Sequence, residues 1–151
     1  MLKETIKAKG SLSVLLTGPD GSVKEDILIP NLVVESGLAT IASRLIGTAT
    51  NPMSHMEIGT GTATPAKANT ALAAAAARVA LTSATIVTTT STGDSVQYVA
   101  TFNPGVGTGA ITEAGLFNAS SAGAMLCRTV FNVVNKDTED TLTITWKVIV
   151  S

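Results

Sequence analysis

Few residues in this 151-residue chain are equipped for chemistry, and each stands in its own setting. Glu113 lies in the segment TEAGLFN, and from Val79 through Cys127 it and Asp94 are the only charged residues. Asp94 falls in a turn, Ser-Thr-Gly-Asp-Ser, whereas Glu113 falls in an apolar, glycine-flanked run. Glu113 is therefore a candidate catalytic carboxylate, metal ligand or ion-pair partner. A carboxylate buried alone is costly. A catalytic pair of acids needs a second one nearby, and this stretch offers none but Asp94. It does offer cations, because Arg78 and Arg128 bracket it. If AITEAGLFN and AMLCRTVFN pair as a hairpin about ASSAG, Arg128 lies on the adjacent strand. Arg78 opens another strand and reaches the same face. The expectation is a structural ion pair in which Glu113 accepts a bidentate arginine contact from Arg128 and Arg78, with no catalytic residue.

The other candidates are weaker. His55 is the only histidine, and Ser54 is its neighbour. Adjacent strand residues point to opposite faces, and no Gly-x-Ser-x-Gly elbow is present, so a hydrolytic triad is not expected. One histidine and one cysteine cannot supply the ligands of a zinc site. NKDTED, Asn135 to Asp140, holds three carboxylates but lacks the spacing and glycine of a calcium loop; it reads as a solvated turn. IGTGTATP and NPGVGTGA lack the lysine of a phosphate loop and a complete G-x-G-x-x-G. They read as turns that permit φ > 0. No metal, no cofactor and no enzymatic activity are expected.

Composition narrows the partners. Net charge is -1 and the pI about 5.7, so few phosphates could be neutralised and nucleic acid is not an expected partner. Charged residues make up 14%, against about 25% in average globular chains. A surface so poor in charge is expected to be partly buried against other copies of the chain; the alternative is a neutral, threonine-coated β-protein. The single cysteine, Cys127, allows no intrachain disulfide, as suits a protein made in a reducing cytosol. The N-terminal MLKETIKAKG lacks a signal peptide's apolar core, and no run reaches the roughly 20 apolar residues of a membrane helix. No membrane partner is expected.

The elements that must position these residues are mostly strands. Residues 1–9 read as an N-terminal arm carrying Lys3, Lys7 and Lys9. GSLSVLL alternates and returns through TGPDGS, so residues 10–29 read as a hairpin. Leu38, Ile41, Ala42 and Leu45 share one face of a helix at about 36–46, with Ser36 as N-cap and Gly47 as stop. TATNPMS is a loop and HMEIGTG a short strand. The alanines of TALAAAAA favour helix by propensity, but flanking threonines and Pro65 make this an irregular stretch with room for one helical turn. From Arg78 onward the chain is β. In TLTITWKVIV, Trp146 shares a face with Leu142, Ile144, Val148 and Val150, and Trp146 and Phe131 are expected core anchors. The sum is a mainly β chain: an antiparallel β-sandwich or jelly-roll-like barrel of about eight strands with one short amphipathic helix, forming a single domain over residues 10–151.

Placed in this order, NLVVESGLATIASRL, PMSHMEIGTGTATP, ARVALTS, VQYVATF, GAITEAGLFNAS and TLTITWKVIVS resemble segments of a family of small virion proteins of tailed bacteriophages. The resemblance spans almost the whole chain and includes MLKE before the first hairpin. It implies a structural role, either head decoration (cement) or tail and fibre association. A cement protein is expected to bind the major capsid protein on the capsid exterior, as a homo-oligomer and most simply a trimer, after synthesis in the host cytoplasm. Lys3, Lys7 and Lys9 would then contact an adjacent capsid subunit. Fibre proteins usually continue into a repetitive shaft, whereas this chain ends at Ser151, which favours cement over a tail or fibre-anchoring adaptor. A carbohydrate-binding domain is the remote alternative, since Trp146 and Phe131 fall on core-like positions. One departure stands out: related sequences often carry a Glu before the arginine of ARVAL, where this chain has alanines only. That weakens Arg78 as a member of the ion-pair network and strengthens Arg128.

Overall fold

Leu12, Val14 and Leu16 alternate with Ser11 and Ser13, and this period of two commits the segment to a strand with one face in the core. The computed structural model describes residues 2–48 and 50–151; Met1 of the expected arm and Ala49 of the expected loop lie outside the described residues. In chain order the elements are β1 (Ala8–Thr17), β2 (Val23–Val33), α1 (Glu35–Leu45), β3 (His55–Gly59), β4 (Ala75–Ala80), β5 (Ser83–Val87), β6 (Ser95–Phe102), β7 (Gly109–Phe117), β8 (Met125–Lys136) and β9 (Thr141–Val150). The chain is mainly β, with nine antiparallel strands in one curled, sandwich- or barrel-like sheet and a single helix among the described residues, where the sequence suggests about eight strands.

The strand order is β4-β3-β7-β8-β2-β1-β9-β6-β5. Two features curl this sheet. β2 pairs with β1 from Val23 to Asn31 and then changes partner, using Leu32 and Val33 to pair with β8. β4 and β5 lie at opposite ends of the order, yet only Leu81 and Thr82 separate them. Their N–H groups donate to Ser54 O, just before β3, and to Val99 O in β6, so one passage of chain is tied to the strands beside both edges. Inward side chains fill the space between: Leu12, Val14, Leu16, Phe102, Ile144 and Trp146 from one half, Met56, Ile58, Ile111, Leu116 and Val134 from the other. Trp146 is fully buried and Phe131 nearly so, as their strand positions imply. The Trp146 indole N–H and the Asn31 side-chain amide are buried with no protein partner among the described residues. Burial pushes the Cys127 thiol well above its usual pKa, so it stays a neutral thiol.

Four expectations need correction. The alanine run forms part of an edge strand: Ala75–Ala80 pairs with β3, with Ala77 opposite Ile58. Alanine's advantage in a helix is at most about 0.7 kcal/mol per residue, and so short a run is far below nucleating length. The β3 backbone, by contrast, offers a full ladder of hydrogen bonds. Ser36 does not cap the helix. The N-cap is Val34, without a side-chain bond, and Ser36 Oγ donates to Met125 O at 2.6 Å. Gly47, with φ +67, does end the helix. The arm is also shorter than residues 1–9, because β1 begins at Ala8 and Lys7 exchanges backbone hydrogen bonds with Ser151. Lys9 thus belongs to the sheet, and the described part of the arm that stands clear of it is residues 2–6. Finally, Ser54 precedes β3, so strand alternation does not separate it from His55; its Oγ lies 2.8 Å from His55 Nδ1. No helix among the described residues is long and apolar enough to cross a membrane.

Candidate functional site

β7 is buried along both faces, and this is what encloses Glu113. Ile111, Ala114 and Leu116 enter the main core. A register shift between Ile111 and Glu113 turns Glu113, Gly115 and Phe117 to the other face. There the β3–β4 connection, residues 60–74, covers them. Leu72 from that connection packs with Val34, Phe117 and Met125 in a second small cluster. Glu113 is 0% exposed and Arg128 1%.

The carboxylate is saturated. Its Oε1 accepts the N–H of Gly61 (3.0 Å) and of Ala74 (2.7 Å); its Oε2 accepts the N–H of Ala73 (3.0 Å) and both Nε (3.3 Å) and Nη2 (2.8 Å) of Arg128. The expected pairing with Arg128 is present, but as two contacts to one oxygen and not as a fork across both. Backbone donors hold the other oxygen. Arg128 in turn donates from Nη1 to Asn69 Oδ1 (3.0 Å) and from Nη2 to Ala63 O (2.9 Å). Burial raises the Glu113 pKa. The Ala74 N–H, Arg128, and the Ala73 and Gly61 N–H groups more than offset that, and the net pKa lies below the usual carboxylate value. Glu113 is therefore ionised at neutral pH, with its lone pairs occupied. An acid in this state has no capacity left to take a substrate proton or to bind a metal.

Arg78 does not join this hub. It stands directly opposite Glu57 in the β3–β4 ladder and donates to it from Nη2 at 2.9 Å. Its Nη1 donates to Ala119 O and Ala122 O, and its guanidinium lies 3.7 Å from the Phe117 ring centre. The register that places Glu57 across from Arg78 accounts for this: a directly opposed acid is nearer than Glu113. Glu57 is thus the partner that the alanine run does not provide.

The glycines of IGTG are the part of the site that sequence reasoning missed. Gly59 and Gly61 do not adopt positive φ, contrary to the turn reading. Each is glycine because a Cβ would strike the Glu113 carboxylate and the Ala73–Ala74 backbone or side chain. By contrast Gly105, Gly107 and Gly109 of NPGVGTG do have positive φ, as that reading expects. The available signal was the pair of small residues just after a strand, together with a lone acid elsewhere that needed a cradle.

The hub reaches further through the same connection. Lys67 O accepts the Glu35 N–H at the start of α1, and Lys67 Nζ donates to Val33 O. A loop carbonyl thus satisfies the helix terminus that Ser36 was expected to cap. Gly37 lies so close to the Leu126 backbone that no side chain fits there. Glu113 therefore braces the connection, and the connection seats the helix.

At the opposite end of β8, Asp140 accepts the Asp137 N–H (2.9 Å) and Lys24 Nζ (2.8 Å), and Lys24 also contacts Asp137. These carboxylates of NKDTED are engaged by a lysine, and among the described residues no group of three or more potential metal ligands is assembled. Among those residues His55 bonds only Ser54, with no carboxylate on the ring. Lys3 is exposed on the arm, Lys7 at its root, where the backbone bonds Ser151, and Lys9 on β1. No family model, curated protein or solved structure matches the chain.

Proposed function

We propose that this protein is a structural component of a tailed-bacteriophage virion, and that it decorates the capsid exterior as a cement protein bound to the major capsid lattice. One observation carries the reading. The segments that bear the phage resemblance spend their polar residues on bracing the frame. PMSHMEIGTGTATP supplies Glu57, Gly59 and Gly61, ARVALTS supplies Arg78, and GAITEAGLFNAS supplies Glu113. These segments thus serve the frame, which suits a part whose task is to hold shape. Homo-oligomerisation and capsid contact through Lys3 and Lys7 belong to the same proposal. Lys9, being in β1, would contribute only from the exposed face of that strand.

The test is to quantify the protein in purified particles and to co-sediment it with capsids stripped of decoration. Hundreds of copies per particle and saturable binding to heads support cement. A few to a few dozen copies, recovered with tails, would replace that reading with a tail or fibre-anchoring role.

A further inference from the structure

A cleft of about 350 Å³ lies between α1 and the ends of β6 and β9. Its walls include Ile41, Met53, Val148 and Val150, with Arg44 and Tyr98 as the main polar groups. Neither Arg44 nor the Tyr98 hydroxyl has a hydrogen-bond or ion-pair partner among the described residues, whereas Arg78 and Arg128 are each ion-paired. Burial pushes the Tyr98 pKa up to about 12, so the phenol remains a neutral donor. At the C-terminal end of α1, outside the lining of the cleft, Leu45 and Ile46 are 84% and 83% exposed. An apolar cleft beside an exposed, unpaired cation suits a chain-like occupant with apolar side chains and one acid.

The chain contains such a segment. Residues 2–6, Leu-Lys-Glu-Thr-Ile, precede β1 and make no backbone hydrogen bonds in the sheet. In extended form they place Leu2, Glu4 and Ile6 on one side and Lys3 and Thr5 on the other. Leu2 and Ile6 are 92% and 75% exposed, which leaves their apolar surface unsatisfied. In its own chain the arm does not enter the cleft. Its root, at Ile6 and Lys7, borders a shallow recess with Leu38 and Lys67. The cleft of the same chain is lined by Thr40, Ile41, Arg44 and Val150 but by none of residues 2–6. We propose that the cleft receives residues 2–6 of a second copy of this chain, with Leu2 and Ile6 against its apolar walls and Glu4 on Arg44.

Each copy then gives one arm and accepts one. Such head-to-tail contacts close into a ring when the rotation between copies allows it. Five extended residues span about 17 Å, enough to cross the cleft from a neighbour at contact distance. Lys3 stays on the outer side of the docked arm, free for contacts beyond the oligomer. The inference concerns contact between copies and holds whether or not the assembly then binds a capsid, so failure of head binding leaves it standing.

Sedimentation velocity over a concentration series tests it. The full chain should associate, and removal of residues 2–6 should weaken association at least about tenfold while the far-ultraviolet circular dichroism spectrum stays unchanged. Glu4→Arg and Arg44→Glu should each weaken it by about tenfold, and the two together should restore most of the loss. Mixing Leu2→Cys protein with Thr40→Cys protein should give a disulfide between copies; native Cys127 is fully buried and does not compete. Any of four results would overturn the inference: undiminished association of the truncated chain, no rescue in the double charge reversal, the same disulfide forming within isolated monomers that carry both cysteine substitutions, or a small amphiphile found in the cleft by native mass spectrometry.

Discussion

Arg128 and Arg78 flank the same stretch of sequence, both find a glutamate, and yet they do different work. Arg128 and Glu113 are almost fully shielded, at 2% and 0% side-chain exposure; Arg78 and Glu57 retain 12% each. Around Glu113 the backbone of another segment converges, so loss of the charge would strand three N–H groups as well as a guanidinium. Arg78 instead joins an acid directly across a two-strand ladder to a turn and an aromatic ring. The first pair closes the fold over a connection of residues 60–74; the second ties neighbours together. Burial and the number of donors, more than the ion pair itself, separate a hub from a local tie.

The largest effect is expected at the hub. Glu113→Gln keeps the shape but removes the charge and turns an amide N–H₂ toward existing donors. It should cost about 3–5 kcal/mol in urea denaturation. If its midpoint matches that of the wild type, Glu113 is solvated and the distinction between the two pairs collapses. The same variant fixes a pH dependence. Because the folded pKa is depressed, the stability from Glu113 is fully present above the unfolded value near about 4.3. It is lost as pH falls through the lower folded value. The gap between wild type and Glu113→Gln should therefore be constant near neutrality and shrink in acid; a gap that grows in acid would contradict the assignment.

Gly61→Ala comes next. Its Cβ would meet the Glu113 carboxylate and, at 2.6 Å, the Ala73 side chain, so overpacking of about 1–3 kcal/mol should follow. Arg78→Lys should cost about 1–2 kcal/mol, since lysine cannot bond Glu57, reach the turn carbonyls and stack on Phe117 at once. A loss as large as that of Glu113→Gln would show that the local tie is a second hub. Smallest is Gly105→Ala, where φ is +79 and nothing lies within 4 Å of a new Cβ. Only left-handed strain opposes it, about 1 kcal/mol, and thermal melts of the two glycine variants would rank collision against strain.

Much of this was legible in the sequence, for reasons that also mark the gaps. Strict alternation identified β1 and β9 and placed Trp146 inside, because one face of each strand is buried and the other is wet. Glu113–Arg128 could be found because an acid in an apolar run must have a cation, and a hairpin puts Arg128 next door. Arg78 was misplaced because its partner depends on the β3–β4 register, which the alanine run concealed. Ala75–Ala77 carry no side-chain preference strong enough to announce an edge strand, and pairing with β3 decides it. The glycine cradle and the loop carbonyl that seats α1 are contacts between segments far apart in the chain. No local pattern encodes them.

One feature of the sheet sets the timing of its assembly. β9 lies between β1 and β6, so the strand made last of the nine is the one on which both depend. Thr17 and the Thr141 carbonyl to which it bonds are 124 residues apart in sequence. During synthesis, β1 and β6 must each wait with an unpaired edge until the ribosome has made β9. Closure over such a span is slow, and the waiting edges are templates for pairing with other chains. A protein built this way completes its sheet only once β9 has emerged, and in the interval its yield depends on temperature and on chaperones more than the native state's stability would suggest.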